Sequence, residues 1–330
     1  LRSAVNGTPR APIGPSLLHC GAGPDRPLKR NPLILDADKF AQMASALEQH
    51  ADYRVLRRLS PREQFSDAGS QPCRIGILLD VETTGLDTSS DEVIELGMVK
   101  FTYRPTGEVI QVVDTFSSLN EPKKLIPEDV TNLTGITDEM VAGHKINEAD
   151  VNAFASDASI VIAHNASFDR RFAERYWLTF VEKPWACSVN NIEWRKHGFE
   201  GSRLGYLLAG VGMFHEAHRA VDDCRALLEV LAFVPASAGR SVLALILENA
   251  RRNTVRVWAE RSPFDLKDEL KKRGYRWSSG EDGRPKSWYI DIDQDKHDDE
   301  LIYLRQHIYG REVDLRTQRI TALERFSVRG

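Results

Sequence analysis

Residues 77–87 read ILLDVETTGLD. An apolar run ends in two carboxylates, Asp80 and Glu82, and the chain then turns at Thr83, Thr84 and Gly85. The fuller run RIGILLD is apolar on both faces, the pattern of a central strand covered on each side. Residues two apart on a strand share a face, so Asp80 and Glu82 project together from the strand end. Two unpaired carboxylates side by side repel, and a cation between them removes that cost. Taken alone, the stretch is equally a strand end capped by an exposed acidic loop.

Outward from this strand the pattern continues as a layered α/β domain. EVIELGMVKF follows the polar turn DTSSDE as a hairpin partner, and QVVDTFSSL (111–119) reads as a third strand. A short helix is expected near 147–156, a strand at SIVIAHN (159–165) and a helix at SFDRRFAERYWL. A last helix covers about 217–233, with Pro235 after it.

Two later stretches carry acids in positions that need explaining. In VIAHNASFDRRF (161–172), Asp169 falls in the first turn of a helix. A first-turn acid is also what the helix dipole alone favours. In His218-Arg-Ala-Val-Asp-Asp223, helical spacing puts Ala220, Asp223, Leu227 and Val230 on one stripe and Asp222, Arg225 and Glu229 on another. Asp223 therefore points inward, where a carboxylate needs a partner or a metal. His218 precedes the stripe, and a histidine at a helix start is often only structural or solvated.

The three stretches in this order, D-x-E at a strand end, then H-N-x-x-F-D, then H-x-A-x-x-D, resemble the motifs of the DEDDh exonucleases. These are the DnaQ-like family, which includes the proofreading subunits of bacterial replicative polymerases. The resemblance covers roughly residues 74–234, and the loop from Pro127 through Thr137 looks like the family's segment between the first two motifs. It implies a ribonuclease H-like α/β fold, a mixed sheet flanked by helices. It implies that Asp80, Glu82, Asp169 and Asp223 are metal ligands and His218 the general base. Thr83 and Leu86 match positions that contact the terminal nucleotide, and His164, Asn165 and Phe168 positions that shape the pocket. Val81 departs mildly from the residues common between the first two acids, and its side chain is expected to point away.

The implied chemistry suits the residue types. Two divalent ions, Mg2+ or Mn2+, can hold the attacking and leaving oxygens of a phosphodiester in line. Such hard cations prefer carboxylate oxygens. A histidine that titrates near neutrality can accept a proton from water. The expected activity is metal-dependent 3′→5′ hydrolysis of DNA from its 3′ end to nucleoside 5′-monophosphates, in repair, replication or proofreading. An RNA substrate keeps the same chemistry, because nothing in the motifs reads a 2′-hydroxyl. A non-catalytic adaptor that uses the fold for docking is the reading from another class, and the intact set of five residues argues against it.

The remaining segments are read by texture. Residues 1–34, rich in proline and glycine with five basic residues and one acidic, are expected to be disordered. Residues 35–70 are expected to form a helical extension, helical from Asp36 to about Arg58 with Phe40, Met43 and Leu47 on one stripe and, after a break, Val55 and Leu56. The exonuclease domain is assigned to 71–236, and ASAGRS (236–241) reads as a linker. Residues 237–330 are expected to be a small α+β accessory domain, built as helix, hairpin and helix. There Ser262-Pro263-Phe264-Asp265 resembles a capping box, Gly274 stops a helix and Gly310 closes the last one. Residues 251–330 hold 18 basic and 15 acidic residues, a net of +3. Since 6 of the acids cluster in 291–300, the hairpin is locally basic. Lys271, Lys272, Arg273, Arg276 and Lys286 are candidate phosphate contacts, with Tyr275, Trp277, Trp288 and Tyr289 as stacking surfaces. The competing reading places Trp277 and Trp288 in the core of this small unit. A protein-docking module is the other reading of the whole unit.

Composition narrows the classes. The 330 residues carry a net charge of −4, so any basic surface must be local. Four cysteines, Cys20, Cys73, Cys187 and Cys224, form no C-x-x-C pair, which argues against a zinc module or secreted disulfide framework and for a reducing, cytoplasmic setting. No apolar run approaches a membrane span, and none resembles a signal peptide. The expected partners are therefore nucleic acid 3′ ends, DNA before RNA, with a DNA polymerase or repair assembly beside them. The chain opens on Leu1 and its first methionine is Met43; a non-ATG start, a processed end and an overlong reading frame are equally compatible with that.

Overall fold

A computed structural model describes residues 37–281 and 283–329; the segment expected to be disordered, 1–34, lies outside them. The chain divides into two units, up to Val55 and from Leu56. In the first, α1 (Ala37–Glu48) carries Phe40, Met43 and Leu47 exposed on one side. The expected helix to about Arg58 stops early, at Glu48, and the chain turns over residues 49–52. Arg57 and Arg58 instead form a short strand, β1 (Arg57–Arg58).

The second unit holds a five-stranded mixed sheet. In chain order come β2 (Arg74–Thr83), β3 (Val93–Tyr103), β4 (Val109–Leu119), α2 (Glu128–Thr134), α3 (Asp138–Val141), α4 (Glu148–Ala155), β5 (Ile160–Ala163), α5 (Ala166–Tyr176), β6 (Trp185–Cys187), α6 (Leu204–Gly210), β7 (Met213–Phe214) and α7 (Ala220–Ala232). The sheet order is β4-β3-β2-β5-β6, with β2–β3 and β3–β4 antiparallel and β2–β5 and β5–β6 parallel. β1 pairs in parallel with β7. This is the mixed sheet flanked by helices that the sequence implies.

Alternation along β2 sorts its side chains between two cores. Ile77, Leu79 and Val81 pack with Phe172, Ala173 and Trp177 on the α5 side. Leu78 packs with Val99, Cys224 and Leu227 on the α7 side. Each such aliphatic group contributes roughly 1.5–3 kcal/mol when fully buried. Asp80 and Glu82 continue the Leu78 face, so the carboxylates emerge where the α7 core ends.

The stretch expected as a linker ends in Ser241, whose hydroxyl caps α8 (Val242–Arg251) by accepting from Ala244 N. α8 is apolar on nearly every side and packs into the same core as α7. Beyond it lies an antiparallel sheet of order β11-β8-β10-β9, made of β8 (Thr254–Ala259), β9 (Arg276–Ser278), β10 (Ser287–Asp293) and β11 (Thr317–Ile320), with α9 (Lys267–Lys272) and α10 (His297–Tyr303). The expected hairpin is present, with Trp277 opposite Trp288. β8 and β11 enlarge it to four strands; β11 has no local turn partner and pairs with β8 across more than fifty residues.

Two local expectations need correction. The Ser262 capping box does not form: Pro263 occupies the cap position of a tight turn, Phe264–Leu266, with no side-chain bond. Gly274 and Gly310 do end their helices, at φ +100° and +61°. Trp277 is not core: it is 51% exposed, and the aromatic residues taken inward are Tyr275 and Tyr289, against Leu270 and Trp258.

The last residues return to the large sheet. Arg170, fully buried on α5, donates to the carbonyls of Ala322, Leu323 and Arg325 and pairs with Glu174. Trp185 N donates to Ala322 O, and Ser327 and Arg329 reach Glu174. Among the described residues no helix is long and apolar enough to cross a membrane.

Candidate active site

The ends of β2, α5 and α7 bring the predicted carboxylates together. Asp169, 2% exposed, reaches across from α5 so that its Oδ1 accepts from Val81 N at 3.3 Å. The residue before α5, Asn165, has φ +71°, a left-handed turn that asparagine tolerates better than most side chains. It swings the chain from β5 into the helix. Asp223 sits in the first turn of α7, on the inward stripe, while Asp222 faces solvent. Ligand atoms of Glu82, His218 and Asp223 all lie within 4.8 Å of one another.

A glycine makes this approach possible. Gly97 on β3 is the register partner of Asp80. A Cβ there would lie 2.4 Å from the Ala220 carbonyl carbon and 2.5 Å from Val221 N. The start of α7 therefore rests on bare backbone, beside Asp80. Next to it, Glu95 pairs in register with Glu82 and is buried. Its carboxylate accepts from Ala220 N at 3.1 Å and from Arg219 Nη2 at 3.0 Å, tying α7 to the sheet.

The third motif is held by two more contacts. His218 N donates to Asp223 Oδ2 at 2.7 Å, and His218 has φ +70°. This turn leaves its side chain exposed beside the acids. His215 Nε2 lies 2.6 Å from Asp223 Oδ1 and is almost wholly buried.

Charge balance at the cluster is poor. Burial, then the neighbouring Asp169, Asp223 and Glu82, hold the Asp80 carboxyl well above the usual range. Burial, then Asp223 and Glu95, raise Glu82 to about 8. Burial raises Asp169 to about 8, against the opposing bond from Val81 N. Arg219, the nearby cation, is engaged by Glu95. A buried all-oxygen donor set with excess negative charge fits a hard divalent cation and suits neither a thiolate-seeking ion nor an apolar ligand.

The other predicted positions scatter more. Thr83 Oγ1 donates to Gly85 O, and Leu86 stands 84% exposed at the tip of the turn. Phe168 packs on Phe172, with ring centroids 5.0 Å apart. His164 Nδ1 is 2.7 Å from Ser188 Oγ, and burial lowers its pKa to about 4, so it is neutral at pH 7. Lys271 and Lys272 lie in exposed pairs with Asp268 and Glu269, and Arg273 pairs with Glu300 over the Tyr303 ring. Lys286 is exposed. Arg276 alone of these five lines a cavity with residues of the large sheet's layer.

Sequence reading did not find His215, Glu95, Arg219 or Gly97. His215→Ala leaves Asp223 Oδ1 without its partner. It is expected to weaken the Mn2+ dependence of thermal stabilisation about tenfold, the usual cost of losing a group that orients a ligand. His215→Gln, which keeps a donor, should restore most of it.

The Exonuclease family model RNase_T matches residues 77–231. A DNA polymerase III PolC-type from Thermotoga maritima is 34% identical over 194 residues, covering 54% of this chain and 13% of that protein. The corresponding protein of Listeria monocytogenes is 36% identical over 156 residues, 45% of this chain and 10% of its own length. The chain thus spans a small fraction of these relatives. Among solved structures, E. coli Exonuclease I in complex with an oligonucleotide superposes with a TM-score of 0.45 at 14% identity, covering 67% of this chain and 63% of that one. Matched family model and converging acids occupy the same stretch: over residues 77–231 the chain carries an exonuclease domain similar to the RNase_T family.

Proposed function

We propose that the chain is a 3′→5′ exonuclease that hydrolyses DNA from its 3′ end and releases nucleoside 5′-monophosphates. The observation that carries this reading is the convergence of Glu82, His218 and Asp223 within 4.8 Å, beside half-buried Asp80 and buried Asp169. Asp80, Glu82, Asp169 and Asp223 would hold two divalent ions, Mg2+ or Mn2+, which when bound neutralise charge at the attacked phosphate and at the leaving 3′-oxygen.

The chain's own residues do the rest. His218, exposed at the rim, takes the proton of the attacking water on its imidazole. Its backbone N–H holds Asp223, so base and ligand are set by one turn. Leu86 offers an apolar surface to the terminal base, and Thr83 fixes the turn that presents it. The polymerase names of the relatives make DNA the first substrate to test and a DNA polymerase or repair assembly the setting.

A 5′-labelled single-stranded DNA is incubated with the protein and Mg2+, with EDTA and an RNA of the same sequence alongside. A ladder that shortens from the 3′ end, absent with EDTA and faster on DNA than on RNA, is expected. His218→Gln should slow it about a hundredfold, the loss typical of a missing general base, while heat protection by Mn2+ stays. Intact DNA and RNA in both Mg2+ and Mn2+ would overturn the reading.

A further inference from the structure

Beside the second motif, a cavity of about 480 Å3 opens between the layer of the large sheet and the four-stranded sheet. Six arginines line it, Arg171, Arg252, Arg256, Arg276, Arg284 and Arg325, against three acids, Glu193, Asp291 and Asp293. In a chain of net charge −4, this is a local excess of positive charge. Three of the guanidiniums gather around the buried ring of Tyr289, those of Arg256, Arg276 and Arg284 at 4.7, 5.0 and 5.6 Å from its centroid. Like charges so placed repel unless an anion joins them.

Asp291 answers part of that charge. It accepts from Arg256 Nε and Nη2 and from Arg276 Nη2. Arg256 is only 7% exposed, and its Nη1 has no hydrogen-bond partner. Arg171 Nε is likewise buried and unpartnered. Leaving such a donor unmet is costly, and more so when it is charged. Tying the two sheets together explains Arg325, which donates to the carbonyls of Ala250 and Arg252. It does not explain buried, unmet guanidinium donors on two residues that line a net positive cavity.

Position selects the anion. Ser167, on the cavity wall, is two residues from Asp169, and Asn190 is two residues from Ser188, the partner of His164. We infer that this cleft holds the sugar–phosphate backbone of a single nucleic-acid strand whose 3′ end lies among the carboxylates. The inference rests on the nuclease reading above. Arginines supply phosphate contacts without base readout, so the cleft favours length over sequence.

The test uses the full chain in EDTA, where no cleavage occurs. Binding of a labelled single-stranded oligothymidylate of about twenty nucleotides, long enough to leave the carboxylate site, is followed by anisotropy against salt. The variant R252A/R276A/R284A should bind about thirtyfold more weakly, with a log–log salt slope shallower by about 2. R276E alone should bind about tenfold more weakly, since its side chain is largely exposed and its loss spares the core. A thymidine dinucleotide should not compete. In Mn2+, both variants should hydrolyse the p-nitrophenyl ester of thymidine 5′-monophosphate at the wild-type rate, because that ester needs only the carboxylate site. Unchanged affinity and slope in both variants, or competition by the dinucleotide, would overturn the inference. So would loss of ester hydrolysis together with binding in both variants, which would make the arginines part of the fold. Arginine-dependent binding by a wild-type protein that cleaves neither ester nor DNA would instead sink the nuclease reading and leave the cleft standing.

Discussion

Asp80→Asn is expected to remove about a thousandfold of the hydrolytic rate and yet to raise the melting temperature of the metal-free protein at pH 8 by a few degrees. The first effect follows from losing a ligand whose cation is worth several kcal/mol at the phosphate, with each 1.36 kcal/mol worth tenfold. The second follows from the surroundings of Asp80: burial and four neighbouring acids all favour its protonated form. Glu82 and Asp169 are raised to about 8 for related reasons. In the unfolded chain these groups titrate near pH 4. Between that value and about 8 the folded state holds more protons than the unfolded one, so the contribution is fully present below pH 4 and is lost as pH rises through 8. Asparagine at 80 needs no proton to stay neutral there, while Glu82 and Asp169 keep their raised values. Divalent ions relieve all of them, so Mn2+ should raise the wild-type melting temperature more at pH 8.5 than at pH 6. Calorimetry on EDTA-stripped protein decides it: a metal-free Asp80→Asn protein that melts below wild type at pH 8 would show that the acids do not strain the fold.

Gly97→Ala is the smallest change expected to damage both stability and turnover. Its new methyl would stand 2.4–2.5 Å from backbone atoms of Ala220 and Val221, and backbone cannot rotate aside. Either β3 bends or the start of α7 lifts away. Overpacking of this kind typically costs about 1–3 kcal/mol. The helix that lifts carries Asp223 and sets His218, and a displacement near 1 Å at reacting groups costs on the order of a hundredfold. Glu95 would lose its bond to Ala220 N in the same movement. The expected result is a lower denaturation midpoint together with a rate loss of at least a hundredfold that saturating Mn2+ does not repair. A variant that melts lower but turns over normally would mean that the site does not depend on this contact.

Periodicity made the acids legible. Two-residue spacing put Asp80 and Glu82 on one face, and helical spacing turned Asp223 in and Asp222 out, as the structure has them. What stayed hidden has no period. His215 and His218 lie in a loop whose shape depends on one positive φ, and only that bend brings His215 onto Asp223. Glu95 sits in the strand EVIELGMVKF, where its acid looks like an ordinary polar alternate until the register sets it beside Glu82. The arginine cleft is assembled from segments far apart in the chain, and of the five hairpin residues singled out by charge only Arg276 reaches it.

The arginine after Asp169 has a bearing on how the molecule is made. The Arg170 guanidinium is buried, and three of its acceptors are carbonyls at 322, 323 and 325, some 150 positions downstream. Contacts that remote form late, because the loop must close first. While the chain emerges from the ribosome, the catalytic layer is translated long before those carbonyls exist. Until they arrive, the Arg170 guanidinium has Glu174 of its own helix but none of those three backbone acceptors. A nascent chain halted before residue 322 would hold the acids in sequence but not the closure behind them, so synthesis itself delays the moment at which a nuclease site becomes rigid.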